Sequence, residues 1–184
     1  MTNSHLPSII KQFEYYKSAG DKTISQLSFD ELQWLPDEAS NSISVIVKHM
    51  VGNMLSRWTN FLTEDGEKEW RQRDQEFIES YKNKEELIAA WENGWECLFN
   101  AISNLSDQDM SRIVYIRNEG HLVSEAIFRQ LGHYPYHIGQ IAYLGKMIKG
   151  EKWKSLSIPK GQSTTYNKEK FSKEKGKRHF TDGL

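Results

Sequence analysis

Two histidines four residues apart, His133 and His137 in HYPYHIGQI, are the residues of this chain best spaced for chemistry. Four residues is about one turn of an α-helix, which puts both imidazoles on one side, roughly 6 Å apart. Two nitrogen donors at that spacing can close on one metal ion. A third histidine, His49, lies far upstream in SISVIVKHMVGN. Three histidines from two helices leave a coordination position open for water or substrate, as in a catalytic rather than a structural metal site. The spacing also allows a blander reading. In helical projection His49 falls outside the apolar stripe of its segment, in line with Asn53, Ser56 and Asn60. That strip is either a solvated polar face or the lining of a cleft, and periodicity does not separate the two.

Three further residues belong to the candidate site as substrate-binding or positioning groups. Arg57, eight residues after His49, lies two turns along, between the polar strip and the apolar stripe, where it could hold an anionic group of a substrate or join a surface ion pair. Asn53 sits between them. Gln140, three residues after His137, is placed to orient a ligand histidine or a bound water. His5, His121 and His179 read as ordinary surface residues. Cys97, in AAWENGWECLFNAI, reads as a helix-core residue rather than a nucleophile.

Four segments carry the helical periodicity needed to position these groups. The first runs from about Leu6 to Leu27, with Ile9, Phe13 and Ile24 near one face, and SFDELQWLP then forms a short turn with Ser28 as its cap and Glu31 three residues on. The second runs from about Ser40 to Leu62, with Ile43, Ile46, Val47, Met50, Met54, Trp58 and Phe61 as a stripe. The third spans Lys84 to Leu105, with Leu87, Ile88, Trp91, Trp95, Leu98 and Ile102 inward. The fourth spans about Ser124 to Ile148, stops at Gly150, and is expected to bend or loosen at Pro135. Between the second and third lies a long polar connection, TEDGEKEWRQRDQEFIESYKN, which suits a crossover between parallel helices. RIVYIRNEGHLVS reads as a hairpin turning at Asn118-Glu119-Gly120. The expected fold class is therefore all-α, with residues 1–160 as one helical domain and 161–184 as a flexible tail.

The totals set outer bounds. A chain of 184 residues suits one domain with a sizeable core, and its six Trp, eight Tyr and eight Phe supply bulky side chains for it. The 24 basic and 25 acidic residues give a net charge of −1, which argues against a whole-surface nucleic-acid binder. From Glu151 onward nine basic and four acidic residues give +5, but a solvated tail is favoured over a nucleic-acid arm there, since Lys168 to Arg178 offers only Phe171 for stacking. One cysteine forms no internal disulfide and fits a reducing compartment. The start MTNSHLPSIIKQFEYYK lacks the pattern of a secretion signal, and no apolar run approaches the roughly 20 residues that span a bilayer. A cytoplasmic protein without membrane association is expected.

The placement of the histidines resembles the DinB/YfiT-like superfamily. The likeness runs from about Ile9 to Gly150, with His49 in SISVIVKHMVGN on the first ligand position and His133 and His137 in LGHYPYHIGQIAYL on the other two. DGEKEWRQRDQEF and WKSLSIPKGQSTTYN are similar to a branch of unknown function. The resemblance implies an up-down-down-up four-helix bundle with the long crossover between helices two and three, and a divalent ion, zinc or nickel, held by the three histidines. It also implies a homodimer and a low-molecular-weight thiol such as bacillithiol or mycothiol as cofactor. On that footing the expected function is a metal-dependent enzyme acting on a small molecule, with thiol transfer to an electrophile preferred over hydrolysis. A non-enzymatic, stress-related metal-binding dimer is the rival.

Overall fold

Polar caps fix where the long helices begin. Ser42 Oγ accepts the Val45 N–H at 3.0 Å and Asn83 Oδ1 accepts the Glu86 N–H at 2.8 Å, each satisfying a first-turn donor that lacks a partner within its helix. In the computed structural model, which describes residues 5–182, the chain is mostly helical with a small two-stranded sheet. The elements are α1 (Leu6–Ser25), α2 (Phe29–Leu32), α3 (Ile43–Trp58), α4 (Lys84–Ser103), β1 (Ile113–Ile116), β2 (Glu119–Leu122), α5 (Val123–Lys149) and α6 (Ser163–Phe171). Each of the four long helices packs on two others: α3 on α4 and α5, α1 on α5 and α4. Among the described residues, no helix is long and apolar enough to cross a membrane.

The core is aromatic. Phe13 of α1, Trp95 of α4 and Tyr134 of α5 meet edge to face or tilted, with ring centroids 5.8–6.5 Å apart, and all three are fully buried. Burial of each such ring contributes about 1.5–3 kcal/mol. Close approach of α1 to α5 requires Gly145, since a Cβ there would overlap the Thr23 methyl.

Several boundaries differ from the sequence expectation for identifiable reasons. The second helix stops at Trp58, because Thr59 is extended and Asn60 takes a left-handed φ of 49°, and the Asn60 carbonyl then accepts the Thr63 and Glu64 N–H groups of a new turn. Ile88, placed inward by its pattern, is 38 % exposed; Leu87 and Trp91 carry the inner face of α4. The hairpin turns at Arg117 and Asn118, with φ of 55° and 62°, so Glu119 and Gly120 already pair with Ile116 and Tyr115. Two residues with positive φ match the twist of the flanking strands. Finally, α5 continues through Pro135. Tyr134 and Ile138, buried on either side of the proline, hold the helical path across the lost hydrogen bond.

The crossover from residue 59 to residue 83 lies against α3. Ser56 Oγ donates to the Gly66 carbonyl and accepts the Lys68 N–H, both at 3.0 Å. Asp65 accepts the backbone N–H groups of Glu67, Arg117 and Asn118 at 2.7–2.8 Å, tying the crossover to the hairpin. A 3-10 turn, Arg73–Phe77, then packs on α3. Beyond α5, α6 has no buried residue, while the chain end returns to α1: His179 Nε2 lies 3.0 Å from Ser8 Oγ, and Lys11 pairs with Asp182 at 2.6 Å.

Candidate metal centre

His49 on α3 and His133 and His137 on α5 converge at one point between the two helices. One nitrogen from each lies within 4.8 Å of the others, and the His133 and His137 Nε2 atoms are 3.0 Å apart. Nitrogens bound to a common zinc at about 2.1 Å would stand roughly 3.4 Å apart, so small side-chain movements suffice to close the set. His49 is buried, and its ring stacks on Phe77 at 5.1 Å; the other two are half-buried.

Each ring is held from behind. His49 Nδ1 lies 2.9 Å from Glu76 Oε2, His133 Nδ1 lies 3.0 Å from Gln130 Oε1, and His137 Nδ1 lies 2.7 Å from Gln140 Oε1. All three partners are acceptors, so each Nδ1 carries the hydrogen and each Nε2 keeps its lone pair. The neutral His133 and His137 therefore set two lone pairs against each other at 3.0 Å. A cation relieves that opposition. A proton is a poor candidate for the role, because burial, with His137 and His49 adding to it, pushes the His133 pKa down to about 4. Burial also lowers His137, against the hydrogen bond it donates to Gln140. The donor set fits a divalent ion of intermediate softness with imidazole ligands.

Behind His49 the chain of charges continues. Glu76 is buried, which by itself would raise its pKa, but hydrogen bonds from His49 and Arg71 outweigh burial and hold the carboxyl below its ordinary range. Arg71 grips it with Nε at 2.7 Å and Nη2 at 3.0 Å, and reaches Glu67 at 3.1 Å. Gly52 makes room for this carboxylate; a Cβ at that position would overlap it.

The strip read as either solvated or lining a cleft is enclosed. His49, Asn53, Ser56 and Arg57 are all buried, whereas Asn60 lies beyond the helix and is exposed. His49, Asn53, Arg57, Gln130 and His133 line a cavity of about 300 Å³. Gln140 stands on the other side of the histidines, against His137. Sequence reasoning missed Glu76, Gln130 and Arg71. Gln130 carries a local signal, lying three residues before His133 as Gln140 lies three after His137. Glu76 and Arg71 lie in the polar crossover, and only a folded chain brings them to His49.

Three histidines between two helices, each ring oriented by its own acceptor, form a group that could hold a metal ion in a mostly helical protein. By sequence the chain belongs to a family described as a protein family of unknown function (DUF1572), whose model matches residues 1–162. No curated protein and no solved structure matches it.

Proposed function

We propose that the protein is a divalent-metal-dependent enzyme, holding zinc or nickel on His49, His133 and His137, in an up-down-down-up four-helix bundle of the DinB/YfiT-like type. The observation that carries this reading is the triple outer anchoring: Glu76, Gln130 and Gln140 each fix one Nδ1–H and so direct three lone pairs to one point. The pairing of α1 with α4 and α5, and of α3 with the same two helices, supports the bundle. An ion held by the three histidines would lower the pKa of a thiol or water bound to it and so supply a nucleophile near neutral pH.

The chain's own residues do the rest. Glu76, its charge compensated by Arg71, accepts the His49 Nδ1 hydrogen and fixes the tautomer and orientation of that ring. Phe77 covers one face of that ring. The cavity beside His49 and His133 admits a small molecule. Thiolate transfer to an electrophile is preferred because of the superfamily resemblance, with hydrolysis as the alternative reaction. Homodimerisation belongs to the same proposal, with the exposed Tyr136, Tyr143 and Met147 of α5 free to meet a second copy.

Calorimetric titration of zinc and of nickel into metal-free protein tests the centre. We expect one site per chain and a loss of at least a hundredfold in affinity for His133→Ala and for His137→Ala; unchanged affinity in either variant refutes it. A screen of metal-loaded protein with low-molecular-weight thiols and electrophiles, followed by mass spectrometry, tests the reaction. Thioether products support transfer, hydrolysed products support the water reaction, and no turnover favours the non-enzymatic binder.

A further inference from the structure

The cavity beside the histidines is bordered by a buried cation, Arg57, which Glu67 and Asp65 influence only at longer range than an ion pair. Arg57 is 5 % exposed, and among the described residues its Nε and Nη1 have no hydrogen-bond partner. Its guanidinium reaches the cavity wall past Gly66, where a Cβ would press on the Arg57 side chain. A buried guanidinium with idle donors is costly to fold around, and natural proteins seldom keep one without a partner for it.

The surroundings repeat the theme. The cavity is walled by five arginines and two glutamates. Arg71 and Arg117 are taken up by glutamates, whereas Arg57, Arg73 and Arg129 make no ion pair among the described residues. Asn53 adds a neutral donor whose direction is forced. The Trp58 indole can only donate, and it donates to the Tyr134 hydroxyl at 2.9 Å. Tyr134 therefore passes its own hydrogen to Asn53 Oδ1 at 3.0 Å, which leaves the Asn53 amide nitrogen to face away, toward the cavity that Asn53 lines.

We propose that this cavity is an oxyanion seat, in which Arg57, Asn53 and Arg129 hold a carboxylate or phosphate group of the substrate. Arginine presents a planar fork that matches either group. His49 and Arg57 are eight residues apart on one helix, a rise of about 12 Å between their backbones, and both line the same cavity. The substrate class is then a small anion, recognised at one end by arginine and presented at the other to the histidines. Only the second half of that statement rests on the proposed metal centre.

The seat is tested on the full chain with two separate probes, inorganic phosphate and succinate, each titrated into metal-free and zinc-loaded protein by calorimetry and by thermal melting. We expect at least one probe to bind saturably in the metal-free protein and to raise its Tm. Saturation by phosphate alone identifies a phosphate seat, and by succinate alone a carboxylate seat. Arg57→Met is expected to weaken binding at least tenfold while raising the Tm in anion-free buffer, a gain that a merely structural arginine would not give. Arg57→Lys keeps the charge without the fork and is expected to weaken binding at least fivefold; Arg129→Gln is expected to weaken it about threefold. Failure of both probes to saturate overturns the seat, as does wild-type affinity in Arg57→Met or, should that variant not fold, in Arg57→Lys. Zinc binding without anion binding removes the seat alone, and anion binding without zinc binding removes the metal centre alone.

Discussion

Helices α3 and α5 each build two regions at once, and the two regions treat burial in opposite ways. Toward the interior they place Met50, Met54 and Trp58, and Tyr134, Ile138 and Ile141, all buried. Around the same helices they place His49, Asn53 and Arg57, and Gln130, His133 and His137. In the aromatic core nearly every polar atom has an internal partner: Trp58 donates to Tyr134, Tyr134 to Asn53, and Trp91 to Asp21 at 2.7 Å. Among the described residues Trp95 Nε1 is the exception there. At the histidine end, two guanidinium nitrogens go unpaired and two imidazole lone pairs oppose each other. The core satisfies nearly all of its polar groups internally, whereas the histidine end leaves Arg57 Nε and Nη1 without a partner among the described residues.

The contrast predicts a ranked set of responses. Trp95→Ala, which empties the centre of the core, should cost about 3–5 kcal/mol in denaturant-derived stability; a loss below about 1 kcal/mol would show that the core is not where the fold is held. Tyr134→Phe joins the two regions, because it strips the Trp58 indole of its acceptor and frees the Asn53 amide to turn. It should cost about 1–3 kcal/mol and weaken any anion that Asn53 holds, and wild-type behaviour in both measurements would uncouple the regions.

At the histidine end alone, Glu76→Gln should weaken zinc about 10- to 100-fold with little change in the core. Gly52→Ala should act in the same direction without altering any of the three histidines or their hydrogen-bond partners, since its Cβ displaces the Glu76 carboxylate. Calorimetric affinities equal to wild type in both variants would mean that His49 needs no support. The smallest effect belongs to neither region. Glu31 pairs with Lys149 at 2.8 Å across α2 and α5, and the hydrogen bonds from Lys149 and from the Ser28 backbone hold its carboxyl below the ordinary value of 4.5. A depressed pKa adds stability above pH 4.5 that disappears as pH falls through the folded value. Glu31→Gln should therefore cost about 0.5 kcal/mol at pH 7 and progressively less as the pH falls below 4.5, as read from melts across that range.

Much of this contrast is legible in the sequence, though unevenly. The stripe Ile43, Ile46, Val47, Met50, Met54 and Trp58 is periodic, and all six residues are buried. The spacing of His133 and His137 places both rings at one point, and Gln140, read as an orienting partner, lies against His137. The hairpin was harder to read. Asn118 and Gly120 both signal a turn, and only pairing with β1, together with Asp65 holding the Arg117 and Asn118 N–H groups, selects the tighter one. Glu76 and Arg71 carry no periodicity at all.

Helix stripes and a four-residue histidine spacing are short-range properties, since the rise and turn of a helix fix which side chains share a face whatever the rest of the chain does. These the sequence determined alone. Whether the strip through His49, Asn53 and Arg57 faces water or a cavity depended on where the crossover and the hairpin came to rest. Tertiary structure decided it by laying them over α3, and it thereby gave His49 its carboxylate and left Arg57 buried with donors to spare.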